Sequence, residues 1–438
     1  MTRRLYTFLM WLAQPWLRRK LARRGQREPG YLEAMEERFG HYGDKPPAAA
    51  GQVVWLHAVS LGETRAAALL VAGLRQRLPG MRLLLTHGTA TGRAEGAKLL
   101  QAGDIQTWQP WDTPVVVARF LDHFKPRIGI LMETEIWPNL VAACARSALP
   151  LVLANARLSE QSMRKARRLA WLAAPAYRGL TAVWAQTPDD ALRLSALGAK
   201  VQGVFGNLKF DAAPDAELLA RGRAWRQRAG RPVVMFASSR EGEEAALLRL
   251  LSAASGPGQG ESRSVASEVQ WLIVPRHPQR FDEVAALIAQ HGFALSRRSL
   301  WRDAPPAMPG AGERRRCIWL GDSLGEMALY YGLADVALLG GSFEPLGGQN
   351  LIEAAACGCP VVMGPHTFNF VEAAELAAAS GAAVRVENMA QALDAVSILV
   401  GNAAPLQAAR RAADAFAGSN RGATERTLTA IKELLAAW

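Results

Sequence analysis

Cysteine is scarce in this chain: the 438 residues hold four, Cys144, Cys317, Cys357 and Cys359, and no CxxC pair. That number and spacing exclude a disulfide framework and offer no zinc-finger pattern, so each reads as a small core residue in a reducing compartment. No Asp-x-Asp occurs, and no His stands beside the acid pair at 133 and 135, so no metal is assigned. Long apolar runs are missing too. The run at 5–17, LYTFLMWLAQPWL, falls short of the roughly 20 residues a membrane-spanning helix needs. No small-x-small cleavage site follows it, and Arg18 opens a polybasic tract, which argues against a secretory signal. Aromatic residues are not interleaved with the basic ones at 157–178, and no nucleic-acid module is recognisable, so no nucleic-acid partner is expected.

Half of the residues are apolar, and 438 is too long for one ordinary core, so two or three domains are expected. The net charge of +12 is concentrated. Residues 1–30 hold eight Lys/Arg against Glu28, and 157–178 hold six against Glu160, which accounts for the whole excess. Two basic patches, rather than a basic protein, need a partner. The first flanks the apolar run with Trp11 and Trp16. That combination reads as an amphipathic arm on an anionic membrane surface, the alternative being a helix docked on the protein.

Short apolar strands then alternate with helical stretches. Strands are expected at 53–57, 83–86, 128–132, 151–154, 182–185 and 201–205, and again at 233–237, 271–274, 293–296, 317–320, 336–339 and 361–363. This is the pattern of two doubly wound, Rossmann-like α/β domains, with ligands at the C-terminal edges of the strands and a cleft between the domains. The expected divisions are an arm at 1–30, a first α/β domain at 31–210, a polar, helical linker at 211–231, a second α/β domain at 232–400, and C-terminal helices at 401–438. Segments 253–268 and 301–316, rich in Gly, Ser and Pro, read as flexible surface loops.

The chemistry-bearing residues cluster after those strands. HAVSLGE puts Glu63 at a helix start, where it is either a cap or a functional carboxylate. METEIWPN carries Glu133 and Glu135, two apart on a strand end and so on one side. In the second domain ASSREGEE, PRHPQRF, LGDSLGEM and the glycine-rich stretch 339–370 each follow a strand. Ser238, Ser239, Arg276 and the N–H groups of Gly325, Glu326 and Met327 offer donors to a phosphate or base. Gly348 and Asn350 open a helix whose N–H groups suit an anion, and Glu353 suits ribose hydroxyls.

Taken in order, HAVSLGE, ETEIWPN, LANARLSE, GNLKFD, EGEE, PRHP, LGDSLGEM, the GG-x-N run and MGPHTFNF make the chain resemble the 3-deoxy-D-manno-octulosonic acid (Kdo) transferases of Gram-negative bacteria over nearly its whole length. The resemblance implies a metal-independent, inverting glycosyltransferase of the GT-B architecture. Such an enzyme works on the cytoplasmic face of the inner membrane, takes Kdo from CMP-Kdo, a substrate and not a cofactor, and hands it to a lipid A precursor (lipid IVA). It further implies Glu63 as general base, with Glu133, Glu135 and Lys209 steadying the transition state. Pro275, Arg276, Gly325–Met327 and the run Asn350, Leu351, Ile352, Glu353 would hold CMP. The chain departs from the family in placing Gln349 and Arg240 where His is usual, and Gln161 where a basic residue often follows NARLSE. A GT-B enzyme using a UDP-sugar is the alternative, and a basic nucleic-acid-binding protein a remote one.

Overall fold

The computed structural model describes residues 2–43, 53–253, 268–302, 304–305 and 317–437. Most of the two expected loops, 254–267 and 306–316, lies outside the described residues. The chain divides into two compact units, Met1–Asp211 with Arg421–Trp438, and Ala212–Asn420.

The first unit is a seven-stranded parallel sheet of β1 (Val53–His57), β2 (Arg82–His87), β3 (Ile105–Trp108), β4 (Ile128–Met132), β5 (Leu151–Ala156), β6 (Ala182–Ala185) and β7 (Val201–Val204). Its spatial order is β3-β2-β1-β4-β5-β6-β7. Helices cover both faces, which is why β1, β4 and β5 are continuously buried apolar runs instead of alternating ones. The second unit repeats the plan with β8 (Val233–Ser239), β9 (Gln270–Pro275), β10 (Ala294–Arg297), β11 (Cys317–Leu320), β12 (Val336–Leu339), β13 (Val361–Met363) and β14 (Ala383–Arg385). Its order is β10-β11-β9-β8-β12-β13-β14, again parallel.

Twelve of these strands match the expected positions. The two unexpected ones, β3 and β14, are edge strands, short and partly polar (IQTW and AVR), so neither carries the apolar run that marks a central strand.

Two divisions differ from expectation. The segment read as a helical linker does form a helix, Ala216–Arg228, capped by the Asp215 carboxylate on Leu218 N–H (2.9 Å), but it is not a free connection. It packs on helix Met327–Leu333 so closely that a Cβ on Gly222 would lie 2.1 Å from the Leu329 carbonyl oxygen, and it belongs to the second unit. The C-terminal helices are also split. Ala403–Ser419 stays with the second unit, whereas Ala423–Ala436 returns to the first, buries Leu428 and Ile431, and accepts Arg127 Nη2 at the Leu435 carbonyl (3.0 Å).

The N-terminal arm forms two helices, Thr2–Leu12 and Gln14–Gly25, the second carrying Pro15 in its first turn, where proline is tolerated. The first helix is inverted relative to a core helix. Its polar side is docked: Tyr6 O–H donates to Asp112 (2.9 Å) and Thr7 Oγ1 to Asn139 (3.0 Å). Leu5, Phe8, Leu9 and Leu12, one stripe at helical spacing, are each about half exposed, as are Trp11 and Trp16. Among the described residues no single helix is long and apolar enough to cross a membrane.

Candidate active site

In the first sheet β1 and β4 are neighbours from which the chain departs in opposite directions, the point where loops part and ligands bind in such folds. The loop after β1 ends at Ser60, whose side chain caps helix Leu61–Arg77 by accepting Glu63 N–H (3.4 Å). The Glu63 carboxylate reaches back, accepting Val59 N–H (2.9 Å) and Ser60 O–H (2.9 Å). This is a capping box, so the structural role weighed from the sequence is realised. The carboxyl is also poised chemically. Burial, reinforced by the charges of Glu133 and Glu135 and opposed by the two hydrogen bonds, pushes it up to about 7.

The loop after β4 differs from the strand end expected. β4 stops at Met132, and Glu133 turns the chain with φ of 56°, a left-handed conformation uncommon outside glycine and asparagine. Glu133 and Glu135 therefore sit on a turn, where strand alternation no longer sets their direction. Glu133 is buried and held between two cations, Lys209 Nζ at 3.3 Å and Arg157 Nε at 3.2 Å. Burial raises the pKa of Glu135.

Arg157 was not singled out from the sequence, nor was Asn155. Asn155 also adopts a left-handed φ of 52° and accepts Leu208 N–H through Oδ1 (3.1 Å), which ties β5 to the turn carrying Lys209. Both stand in the LANAR stretch, whose position at the C-terminal end of β5 was the available signal.

In the second unit the equivalent junction lies between β8 and β12. Ser238 is half-buried with φ of 54°, and Gly340 lies so close that a Cβ there would meet the Ser238 carbonyl oxygen at 2.1 Å. Glu243 joins the two loops: its buried carboxylate accepts N–H groups from Arg240 (2.8 Å), Gly341 (2.8 Å) and Phe343 (3.1 Å). Ser239 is a correction. It was expected to face a ligand, but it is fully buried and donates to Glu244 (2.8 Å), which is also gripped by Arg280 Nη1 (2.8 Å).

The glycine stretch folds as one hydrogen-bonded assembly. Gly348 N–H donates to Gly341 O (2.7 Å), and Asn369 N–H to Gly347 O (2.9 Å). Asn350 caps helix Leu351–Ala356 through Ile352 N–H (3.1 Å), and Leu351 and Ile352 are core side chains, so these three serve the helix itself. Glu353 is half-buried in the same first turn. Pro275 is buried at the end of β9, and Arg276 beyond it donates to Gln349 Oε1 (3.1 Å), which brings the PRHP and GGQN loops together. Gly325, with φ of 79°, is exposed; Glu326 and Met327 start the next helix, with the Glu326 carboxylate held by Arg298 (2.7 Å) and Arg221 (3.1 Å).

Two doubly wound parallel sheets, each with its functional loops at the junction of its central strands, define a GT-B-like glycosyltransferase fold. A glycosyltransferase from Rickettsia africae shares it at a TM-score of 0.52 and 14% identity, over 88% of this chain and 99% of that one. The family model described as 3-deoxy-D-manno-octulosonic-acid transferase (kdotransferase) matches residues 33–212. The 3-deoxy-D-manno-octulosonic acid transferase of Bordetella pertussis is 46% identical, covering 98% of this chain and 96% of its own length. That of Haemophilus influenzae is 32% identical over 99% of both. The chain belongs to the Kdo transferase family, and it is a glycosyltransferase.

Proposed function

We propose that the enzyme transfers Kdo from CMP-Kdo to a lipid A precursor (lipid IVA) with inversion, without a metal ion or other cofactor, in lipopolysaccharide biosynthesis. The observation that carries this reading is the Glu63 carboxyl, poised near 7 beside a Glu133 whose charge is already compensated. The acceptor hydroxyl oxygen attacks the anomeric carbon of Kdo as Glu63 takes its proton. The bond from that carbon to the CMP phosphate oxygen breaks, and CMP departs with the electron pair. Lys209 and Arg157 both pair with the Glu133 carboxylate, which leaves Glu63 as the proposed acceptor of the proton.

In the second unit Arg276, steadied by Gln349, offsets charge on the nucleotide phosphate, aided by the N–H groups of Glu326 and Met327. Ser238 and Glu353 remain as contacts for the base and ribose, whereas Asn350 acts by capping its helix. The usual histidine is replaced at Gln349, which holds Arg276 as a neutral acceptor and cannot titrate.

The exposed stripe of helix Thr2–Leu12, with Trp11, Trp16 and the arginines beyond, supports a seat on the anionic cytoplasmic face of the inner membrane. The test is transfer from CMP-Kdo to tetra-acylated lipid A precursor by purified protein, with mass spectrometry of the product. Glu63→Gln should abolish it; full activity in that variant would remove Glu63 as the base.

A further inference from the structure

A groove of about 440 Å³ in the first unit is lined by Arg3 of helix Thr2–Leu12 and by residues of helices Pro138–Arg146 and Ala170–Arg178. Val141, Ala142, Ala145, Trp171 and Pro175 line it, small or flat side chains that leave the space open. Exposed Arg3 and Arg146 supply its charge. We propose that this groove holds one acyl chain of the lipid acceptor, with Arg3 and Arg146 meeting anionic groups on the same molecule. The inference rests on the lipid-acceptor reading above.

Three observations select this occupant. First, the groove is built, since Asp112 fixes two of its walls at once. Its carboxylate accepts Asn139 N–H (3.0 Å) and Leu140 N–H (2.8 Å) at the start of one helix and Tyr6 O–H (2.9 Å) from another, while Thr7 bonds Asn139. Secondly, it begins at the acid-bearing loop. Pro138 lines it and stands three residues beyond Glu135, and the helix runs from there for about 13 Å at 1.5 Å per residue. An acyl chain entering beside Pro138 would lie along this helix, leading away from the loop that carries Glu135. Thirdly, the walls are apolar and continuous with exposed Leu169 and Trp171, a surface that water solvates poorly and an acyl chain covers well.

Narrowing the groove tests this. Ala142→Phe fills its middle, and Ala145→Phe, at an exposed position, does so with less demand on folding. For each, KM is measured with the tetra-acylated precursor and with its deacylated counterpart. The ratio of the two should rise by about tenfold, the equilibrium change that a modest loss of apolar contact gives; misfolding would move both values together. Independently, a precursor analogue with brominated acyl chains should quench Trp171 fluorescence, identified by difference from Trp171→Phe, and both groove variants should lose that quenching. An unchanged KM ratio in both variants overturns the proposal. So does quenching by brominated phosphatidylglycerol that excess precursor does not reverse, since that would make the occupant bulk lipid. If wild-type protein transfers no sugar to either acceptor while precursor quenching persists and the variants lose it, the acyl site stands and the transferase reading falls.

Discussion

Glu63 and Glu243 occupy the same place in the two units. Each follows the central strand at the junction of its sheet, β1 or β8, each lies in the first turn of the next helix, and burial raises the pKa of both. Their partners differ. Glu243 accepts three backbone N–H groups from two loops, so its charge is engaged in holding those loops together. Glu63 accepts one N–H and one hydroxyl and faces two further carboxyls. A carboxylate surrounded by fixed donors organises a site, whereas one short of donors and near like charge can exchange a proton.

Substitutions at the two positions should therefore fail differently. Glu63→Gln is expected to lower kcat/KM by about 10²–10⁴-fold, the usual share of a general base, with little change in unfolding midpoint. Glu243→Gln places an N–H₂ against backbone donors and should cost roughly 1–3 kcal/mol in denaturant unfolding. It should also weaken CMP binding by calorimetry. The comparison breaks if Glu63→Gln is the less stable variant and Glu243→Gln the less active at saturating donor.

Within the first unit, Lys209→Ala should reduce kcat more than Arg157→Ala. The lysine side chain is 27% exposed and the arginine 53%, so solvent already screens more of the arginine's attraction. The smallest effect is in the pH profile. Because the base must be ionised, kcat/KM should rise through about 7 and level above it. Ser60→Ala removes a hydrogen bond that favours the charged form and should move that limb upward; Glu133→Gln removes a repelling charge and should move it downward. A limb that stays fixed in both variants would mean that another group titrates.

Much of this was legible in the residues. Strands buried on both faces read as apolar runs, so all the central strands were found, and the loops after them followed from parallel-sheet topology. Edge strands β3 and β14 were not, because partial exposure lets them be short and polar. Ser239 was misjudged because a serine after a strand looks the same whether it faces a ligand or a buried acid. Arg157 was missed because its pairing with Glu133 joins residues from different loops.

The sequence by itself determined the two-sheet plan, the family, the acid and glycine loops and the apolar, basic arm, since local periodicity and turn residues carry that information. Only the tertiary structure decided that Glu133 is gripped by both Lys209 and Arg157 and that the helical linker packs into the second unit. It likewise decided that the arm turns its apolar stripe outward while Tyr6 and Thr7 dock it. These outcomes depend on partners far apart in the chain, and burial and charge act through space, not along the sequence.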